Sequence, residues 1–192
     1  MKSFRSLFLR EDRVCPWWLA YTFDNPLRRF LHDPEALLGP FVREGMTVAD
    51  IGCDLGYFSI AMAKLVGEEG TVIAVDVQQK MLDRMHQRAE KAGVASRTRP
   101  VLASEDNIGI QGPVDFALAF WMVHETPDIQ RFFAQVSSVL KEQGKFFIAE
   151  PRMHVPNRKF REILEYARQT GFQISDAPRV RISRAVILSK KG

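Results

Sequence analysis

The stretch Val48-Ala49-Asp50-Ile51-Gly52-Cys53-Asp54-Leu55-Gly56 constrains this chain more than any other. β-forming residues run into a Gly-x-Asp-x-Gly turn, and Tyr57-Phe58-Ser59-Ile60-Ala61-Met62-Ala63 then reads as a helix. A strand, a tight turn and a helix in that order form the nucleotide-binding corner of an α/β sheet. The glycine spacing narrows the ligand. A dinucleotide site takes Gly-x-Gly-x-x-Gly, whose third glycine lets the helix lie close on the strand. Here Gly56 follows Gly52 by four positions, and Tyr57 stands where that third glycine would be. A nicotinamide-dependent dehydrogenase is therefore the least expected outcome.

From residue 48 onward strands alternate with helices, which implies βαβ units and a parallel sheet. Strands are expected at residues 47–51, 71–76, 99–103, 114–120, 145–149, 172–175 and 180–188. Helices are expected at 58–66, 79–92, 127–140 and 157–170, the second stopped by Gly93. The last two strands are separated by residues 176–179 alone. A parallel crossover needs roughly a dozen residues, so this pair must be antiparallel. The expected architecture is a doubly wound, Rossmann-like α/β fold with a mostly parallel, seven-stranded sheet and a final antiparallel hairpin. The first 46 residues differ in character. Pro16-Trp17-Trp18-Leu19-Ala20-Tyr21-Thr22-Phe23 is densely aromatic, and Asp33-Pro34-Glu35 carries the cap, first-turn proline and acidic residue of a helix start running to about Val42. Residues 1–46 read either as a lid over the site or as a helical segment with its aromatics in the core; residues 47–192 read as the domain proper.

Asp76 closes the second apolar strand, 24 positions after Gly52. An acidic residue at that place in a nucleotide-binding βαβ unit accepts hydrogen bonds from ribose hydroxyls. Val77 and Gln78 follow it and are candidates for the edge of the base. Ligands of open α/β sheets lie beyond the carboxyl ends of the strands, so residues 120–125, which leave the fourth strand, should border the ligand. Among them His124 and Glu125 are the plausible acid–base groups, with His124 either a base near neutral pH or a residue that shapes the site.

Composition removes several classes. Hydrophobic content of 46% and charged content of 26% are ordinary for a globular chain. No apolar run approaches the roughly 20 residues that span a bilayer, so membrane insertion is not expected. The start lacks a signal-peptide pattern, and a cytoplasmic location is expected. Two cysteines, Cys15 and Cys53, form neither a metal pair nor a disulfide framework. His32, His86 and His154 are dispersed, and no metal site is expected. The net charge is +4, and residues 152–192 hold ten Lys and Arg against three acidic residues. Such an excess reads as a solvated face or as a surface for an anionic partner.

Asp50, Gly52 and Gly56 resemble motif I of the class I S-adenosylmethionine-dependent methyltransferases, usually Asp/Glu-x-Gly-x-Gly-x-Gly. The chain departs at the middle glycine, which is Asp54. Asp tolerates a left-handed backbone, and its carboxylate would pair with the methionyl ammonium or the sulfonium, or repel the methionyl carboxylate. The pattern around the fourth strand, Phe120-Trp121-Met122-Val123-His124-Glu125, with Leu140-Lys141-Glu142-Gln143-Gly144-Lys145 and Glu150-Pro151 downstream, is similar to small-molecule methyltransferases of the quinone-biosynthesis type. The resemblance implies an enzyme that binds S-adenosylmethionine and releases S-adenosylhomocysteine. It implies that Asp50, Gly52, Asp54 and Gly56 serve the methionyl part and Asp76 the ribose. It places Val77, Gln78, Ser104 and Glu105 near the adenine; Ser104 stands where an acidic residue is usual, and Asp106 is a substitute. Phe120 would wall the cofactor, and Trp17, Trp18, Tyr21, Trp121 and His124 would face a small, partly apolar acceptor. The Asp/Asn-Pro-Pro-Tyr/Phe of nucleic-acid amino-methyltransferases is missing after the fourth strand, so nucleic acid is not the expected partner. Two alternatives stay open: RNA methylation through the basic carboxyl-terminal third, and a module that binds the cofactor without catalysis.

Overall fold

The computed structural model describes residues 31–104 and 106–191. Its sheet has seven strands: β1 (Thr47–Ile51), β2 (Thr71–Asp76), β3 (Thr98–Leu102), β4 (Val114–Phe120), β5 (Leu140–Pro151), β6 (Phe172–Asp176) and β7 (Ser183–Lys190). They lie in the order β3-β2-β1-β4-β5-β7-β6. β1 to β5 run parallel, while β7 is antiparallel to both β5 and β6. The expected final hairpin is therefore present, with β7 inserted between β5 and β6.

Alternation along the strands builds two cores from one sheet. Ala49, Ile51, Ile73, Val75, Ala117, Ala119, Phe146 and Ile148 face one side. There Phe132, Phe133 and Val136 of α4 (Ile129–Val139) and Ile163 and Ala167 of α5 (Asn157–Gln169) cover them. Val48, Val72, Ala74, Phe116, Leu118 and Phe147 face the other side, under α1 (Pro34–Leu38), α2 (Tyr57–Leu65) and α3 (Gln79–Lys91). The sheet order reverses between β1 and β4, and the site lies at the carboxyl ends of these two strands.

Some boundaries differ from expectation, each for a physical reason. The helix capped by Asp33 ends at Leu38 rather than Val42, because Pro40 has no N–H to give the carbonyl of Ala36. β5 begins at Leu140, five residues early, because the backbone turns extended there (ψ 135°) and Leu140 pairs with Val114. β7 starts at Ser183 rather than 180, after Ile182 takes a left-handed backbone (φ 52°). Residues 31–46 rest on the second core through Leu38, Val42 and Phe41; residues 1–30 lie outside the described residues. Among the described residues no helix is long and apolar enough to cross a membrane.

Candidate active site

After Ile51 the chain turns through three left-handed residues, Gly52 (φ 76°), Asp54 (φ 52°) and Gly56 (φ 79°). Glycine adopts this conformation freely, and Asp is among the side chains that tolerate it. The N–H groups of Gly52 and Cys53 both donate to the Val75 carbonyl at 2.9 Å, which ties the turn to β2. Neither glycine has room for a side chain. A Cβ on Gly56 would stand 2.5 Å from Cγ of Met85 in α3, and one on Gly52 would stand 2.9 Å from Cβ and Cγ of Met122. Met122 belongs to the segment leaving β4, so the turn and that segment face each other at the switch point.

Asp76 closes the other side of the turn. Its Oδ2 accepts the Asp54 N–H at 3.1 Å, and its Oδ1 accepts the Gln78 N–H at 2.9 Å. The residue is only 8% exposed. Burial pushes its carboxyl up from 3.8 to about 6; the Asp54 charge adds to the rise, while the N–H groups of Gln78, Asp54 and Val77 oppose it. Val77 is exposed beside it and Gln78 half-buried. Asp50 sits behind the turn, where its Oδ2 accepts the Ser59 hydroxyl at 2.5 Å and so fixes the first turn of α2 on β1. Cys53 is buried, and burial, then the charges of Asp50, Asp76 and Asp54, push its thiol well above the ordinary value. A thiol so placed stays protonated and is no nucleophile.

The segment after β3 is pinned to α4. The Gln135 side chain accepts the Ile108 N–H and donates to the Asp106 carbonyl, both at 2.8 Å, and the Asp106 carboxylate pairs with Arg131. Ser104 is exposed, bridged to Asn107 through both backbone groups. Of the residues expected near the adenine, Ser104 is thus at the rim, Asp106 is engaged by Arg131, and Glu105 lies outside the described residues.

Beyond β4, Phe120 is buried against Phe58, with ring centroids 4.4 Å apart, and against His32 at 5.0 Å. Trp121 takes a left-handed backbone (φ 63°), an uncommon state for a bulky side chain. Its indole N–H donates to the Ser183 hydroxyl at 2.8 Å and its ring meets His32 edge-on at 5.1 Å. His32 in turn bonds the Arg181 carbonyl at 2.9 Å, and its own carbonyl accepts the Tyr57 hydroxyl at 2.8 Å. The sequence left His32 unassigned; the fold makes it the joint between the N-terminal segment, α2 and the lead into β7. Trp17, Trp18 and Tyr21 lie outside the described residues.

His124 stands on a 3-10 turn, Val123–Glu125, at the mouth of β4. Its Nδ1 lies 2.5 Å from Oε2 of Glu150, and Glu150 Oε1 accepts the Val123 N–H at 2.9 Å. Glu150 is fully buried at the end of β5. His154 comes within 6.2 Å of His124 between ring centroids, so two histidines that are scattered in sequence are neighbours in space. Glu150 was assigned no role from sequence. The signal that marks Asp76, a carboxylate ending a buried strand, also marks Phe146-Phe147-Ile148-Ala149-Glu150.

The carboxyl-terminal basic residues are largely engaged locally. Arg184 donates to Asn157 and to the Val155 carbonyl, Arg152 donates to the Ser183 carbonyl, and Arg158, Arg168 and Lys190 pair with Glu162, Glu165 and Glu142.

A family model described as a methyltransferase domain matches residues 42–178. The ubiquinone biosynthesis O-methyltransferase of Caulobacter vibrioides (strain ATCC 19089 / CIP 103742 / CB 15) is 31% identical over 134 residues, which is 70% of this chain and 51% of that protein. The demethylmenaquinone methyltransferase of Desulfitobacterium hafniense (strain Y51) is 27% identical over 145 residues, 74% of this chain and 54% of that protein. The chain spans about half the length of these relatives. In fold it is similar to a SAM dependent methyltransferase from Aquifex aeolicus, with a TM-score of 0.81 and 24% identity over 91% of this chain and 98% of that one.

Proposed function

This chain belongs to the methyltransferase-domain family, and on that premise we propose that it transfers the methyl group of S-adenosylmethionine to a small, partly apolar acceptor, releasing S-adenosylhomocysteine. The observation that carries the reading is the left-handed turn at residues 52–56 laid against Asp76.

The residues present fit this cofactor. Asp76 accepts backbone N–H groups at both carboxylate oxygens, and the acceptor capacity that remains suits the hydroxyls of a ribose. Exposed Val77 offers an apolar face beside it for the adenine, with Gln78 at its edge and Ser104 or Glu105 toward the amino group. Three carboxylates, Asp50, Asp54 and Asp76, surround Cys53, and their negative field suits the cationic methionyl end. Asp50 holds the turn from behind, and Gly52, Asp54 and Gly56 line it. When bound, the cofactor supplies an activated methyl on a sulfonium, so the protein's task is to bind, orient and exclude water. Phe120 and Trp121 wall that space in this proposal, and His124 faces the acceptor, a role that Trp17, Trp18 and Tyr21 are proposed to share. The relatives' names, a ubiquinone biosynthesis O-methyltransferase and a demethylmenaquinone methyltransferase, support a small, partly apolar acceptor. A cytoplasmic location belongs to the same proposal. RNA as acceptor draws little support from arginines already bonded to backbone and to neighbouring carboxylates.

Calorimetric titration with S-adenosylhomocysteine tests the reading. We expect saturable binding, weakened about 10- to 100-fold by Asp76→Ala, the size of losing hydrogen bonds to a charged acceptor. No heat at millimolar ligand would withdraw the proposal. Binding without turnover on a broad acceptor panel would leave a non-catalytic module.

A further inference from the structure

We propose that Glu150 is the positioning residue that sets the tautomer of His124, and that the acceptor is a hydroxyl which gives up its proton to Nε2 of that histidine as it is methylated. The inference rests on the methyl-transfer reading above and narrows it to acidic hydroxyls of the phenol or enol class.

Glu150 presents two acceptor oxygens to two donors. The Val123 backbone N–H holds Oε1 at 2.9 Å, and the imidazole Nδ1 meets Oε2 at 2.5 Å. A carboxylate only accepts, so Nδ1 carries the hydrogen in this pair, and the neutral ring held this way has its lone pair on Nε2. The carboxylate cannot swing away, because it is buried at the end of β5 with its second oxygen fixed by backbone. Nε2 is turned toward Glu125, whose Oε1 lies 3.9 Å away, too far for a hydrogen bond. The ring is therefore oriented at one nitrogen and able to accept at the other, and its side chain is 14% exposed, within reach of a ligand.

The place is right for a base. His124 lies four residues past the end of β4, and Met122, two residues before it, lies against Gly52 of the turn. In the step the acceptor O–H bond breaks and its proton passes to Nε2. An oxygen lone pair forms the new O–CH3 bond, and the S–CH3 bond breaks with its electrons left on sulfur. The imidazolium so formed faces the Glu150 charge at Nδ1 and the Glu125 charge near Nε2, which offset it and offer the proton a way out. An acceptor with no proton to lose would have no use for this arrangement.

Glu150→Gln separates this role from a packing role. The amide has the same shape but one acceptor and one donor. The Val123 N–H is a fixed donor and takes the amide oxygen, which leaves the NH2 facing Nδ1 and forces hydrogen onto Nε2. The expected result is a switch of His124 from the Nδ1–H to the Nε2–H tautomer in 15N-resolved imidazole spectra. Turnover of catechol with S-adenosylmethionine should fall about 10²- to 10⁴-fold, the range of losing a positioned base, with the calorimetric affinity for S-adenosylhomocysteine unchanged. A wild-type protein whose His124 is already in the Nε2–H form overturns the proposal, and that spectrum needs no variant to fold. So does a Glu150→Gln protein with wild-type turnover. Wild-type protein that binds S-adenosylhomocysteine yet methylates thiols or amines and no phenol or enol overturns the acceptor class. Failure of wild-type protein to bind S-adenosylhomocysteine removes the methyl-transfer reading instead, while the tautomer spectrum still judges Glu150.

Discussion

Asp76 shows how one side chain can carry both a structural debt and a binding role. Between 3.8 and about 6 the folded chain holds this proton and the unfolded chain does not. The contribution of the carboxyl to stability therefore falls as pH rises through that window. At neutral pH the group is a buried anion held by backbone N–H donors, and further donors to it are worth more than they would be in water. Ribose hydroxyls are such donors, and they favour the ionised form. Affinity for S-adenosylhomocysteine is accordingly expected to be flat above pH 7 and to drop below about 6, by about tenfold per pH unit at most for one linked proton. Titrations at pH 5, 6, 7 and 8 check this. The same series on Asp76→Asn, which has no proton to gain, should be weak and level; an equal slope in both proteins would assign the pH effect to another group.

At the scale of elements, the turn and the helices around it depend on backbone that most residues cannot adopt. Gly56 has φ 79°, and α3 passes so close that Cγ of Met85 would meet its Cβ at 2.5 Å. Gly56→Ala combines a left-handed alanine, about 1–2 kcal/mol, with overpacking of about 1–3 kcal/mol. We expect a loss of about 2–5 kcal/mol in urea unfolding and weaker cofactor binding, because α2 and α3 are pushed apart where the turn must close. The contrast with His124 explains what the sequence could and could not reveal. The turn, the place of Asp76 at the end of its strand and the antiparallel final pair are legible because local chemistry dictates them: positive φ at Gly52 and Gly56, a carboxylate at a strand end, too short a link between the last two strands. The His124–Glu150 pair joins residues 26 apart, one on the turn after β4 and the other near the end of β5, and no local pattern ties them. His32 was hidden for the same reason, since its contacts with Trp121 and Arg181 are made only by the folded chain. The early start of β5 was missed because Lys141-Glu142-Gln143-Gly144 reads as a polar turn, while its extended path follows from pairing between Leu140 and Val114.

For the whole molecule, the sheet acts as a plate with cores on both faces and its chemistry along one edge. The turn at 52–56, Asp76, His124 and Glu150 all lie at the carboxyl ends of β1, β2, β4 and β5, so strand register places the segments that carry them. Destabilising the plate away from that edge should then lower the population of folded protein without altering the site in the molecules that remain folded. Phe133 offers the test. It is fully buried under the sheet among Phe132, Phe146 and Phe172, with ring centroids 5.7–6.1 Å apart, and it belongs to α4 rather than to the strand ends. Phe133→Ala should cost about 3–5 kcal/mol through lost contacts and the cavity left behind. That is a large part of the roughly 5–15 kcal/mol that holds a domain together. Urea unfolding should show the full loss. S-adenosylhomocysteine affinity, measured at low temperature where the variant is still folded, should stay within about twofold of wild type, well under the 1.4 kcal/mol that a tenfold change represents. A variant that loses both together would mean that α4 reaches the site, most directly through Gln135 and Arg131, which hold the segment after β3.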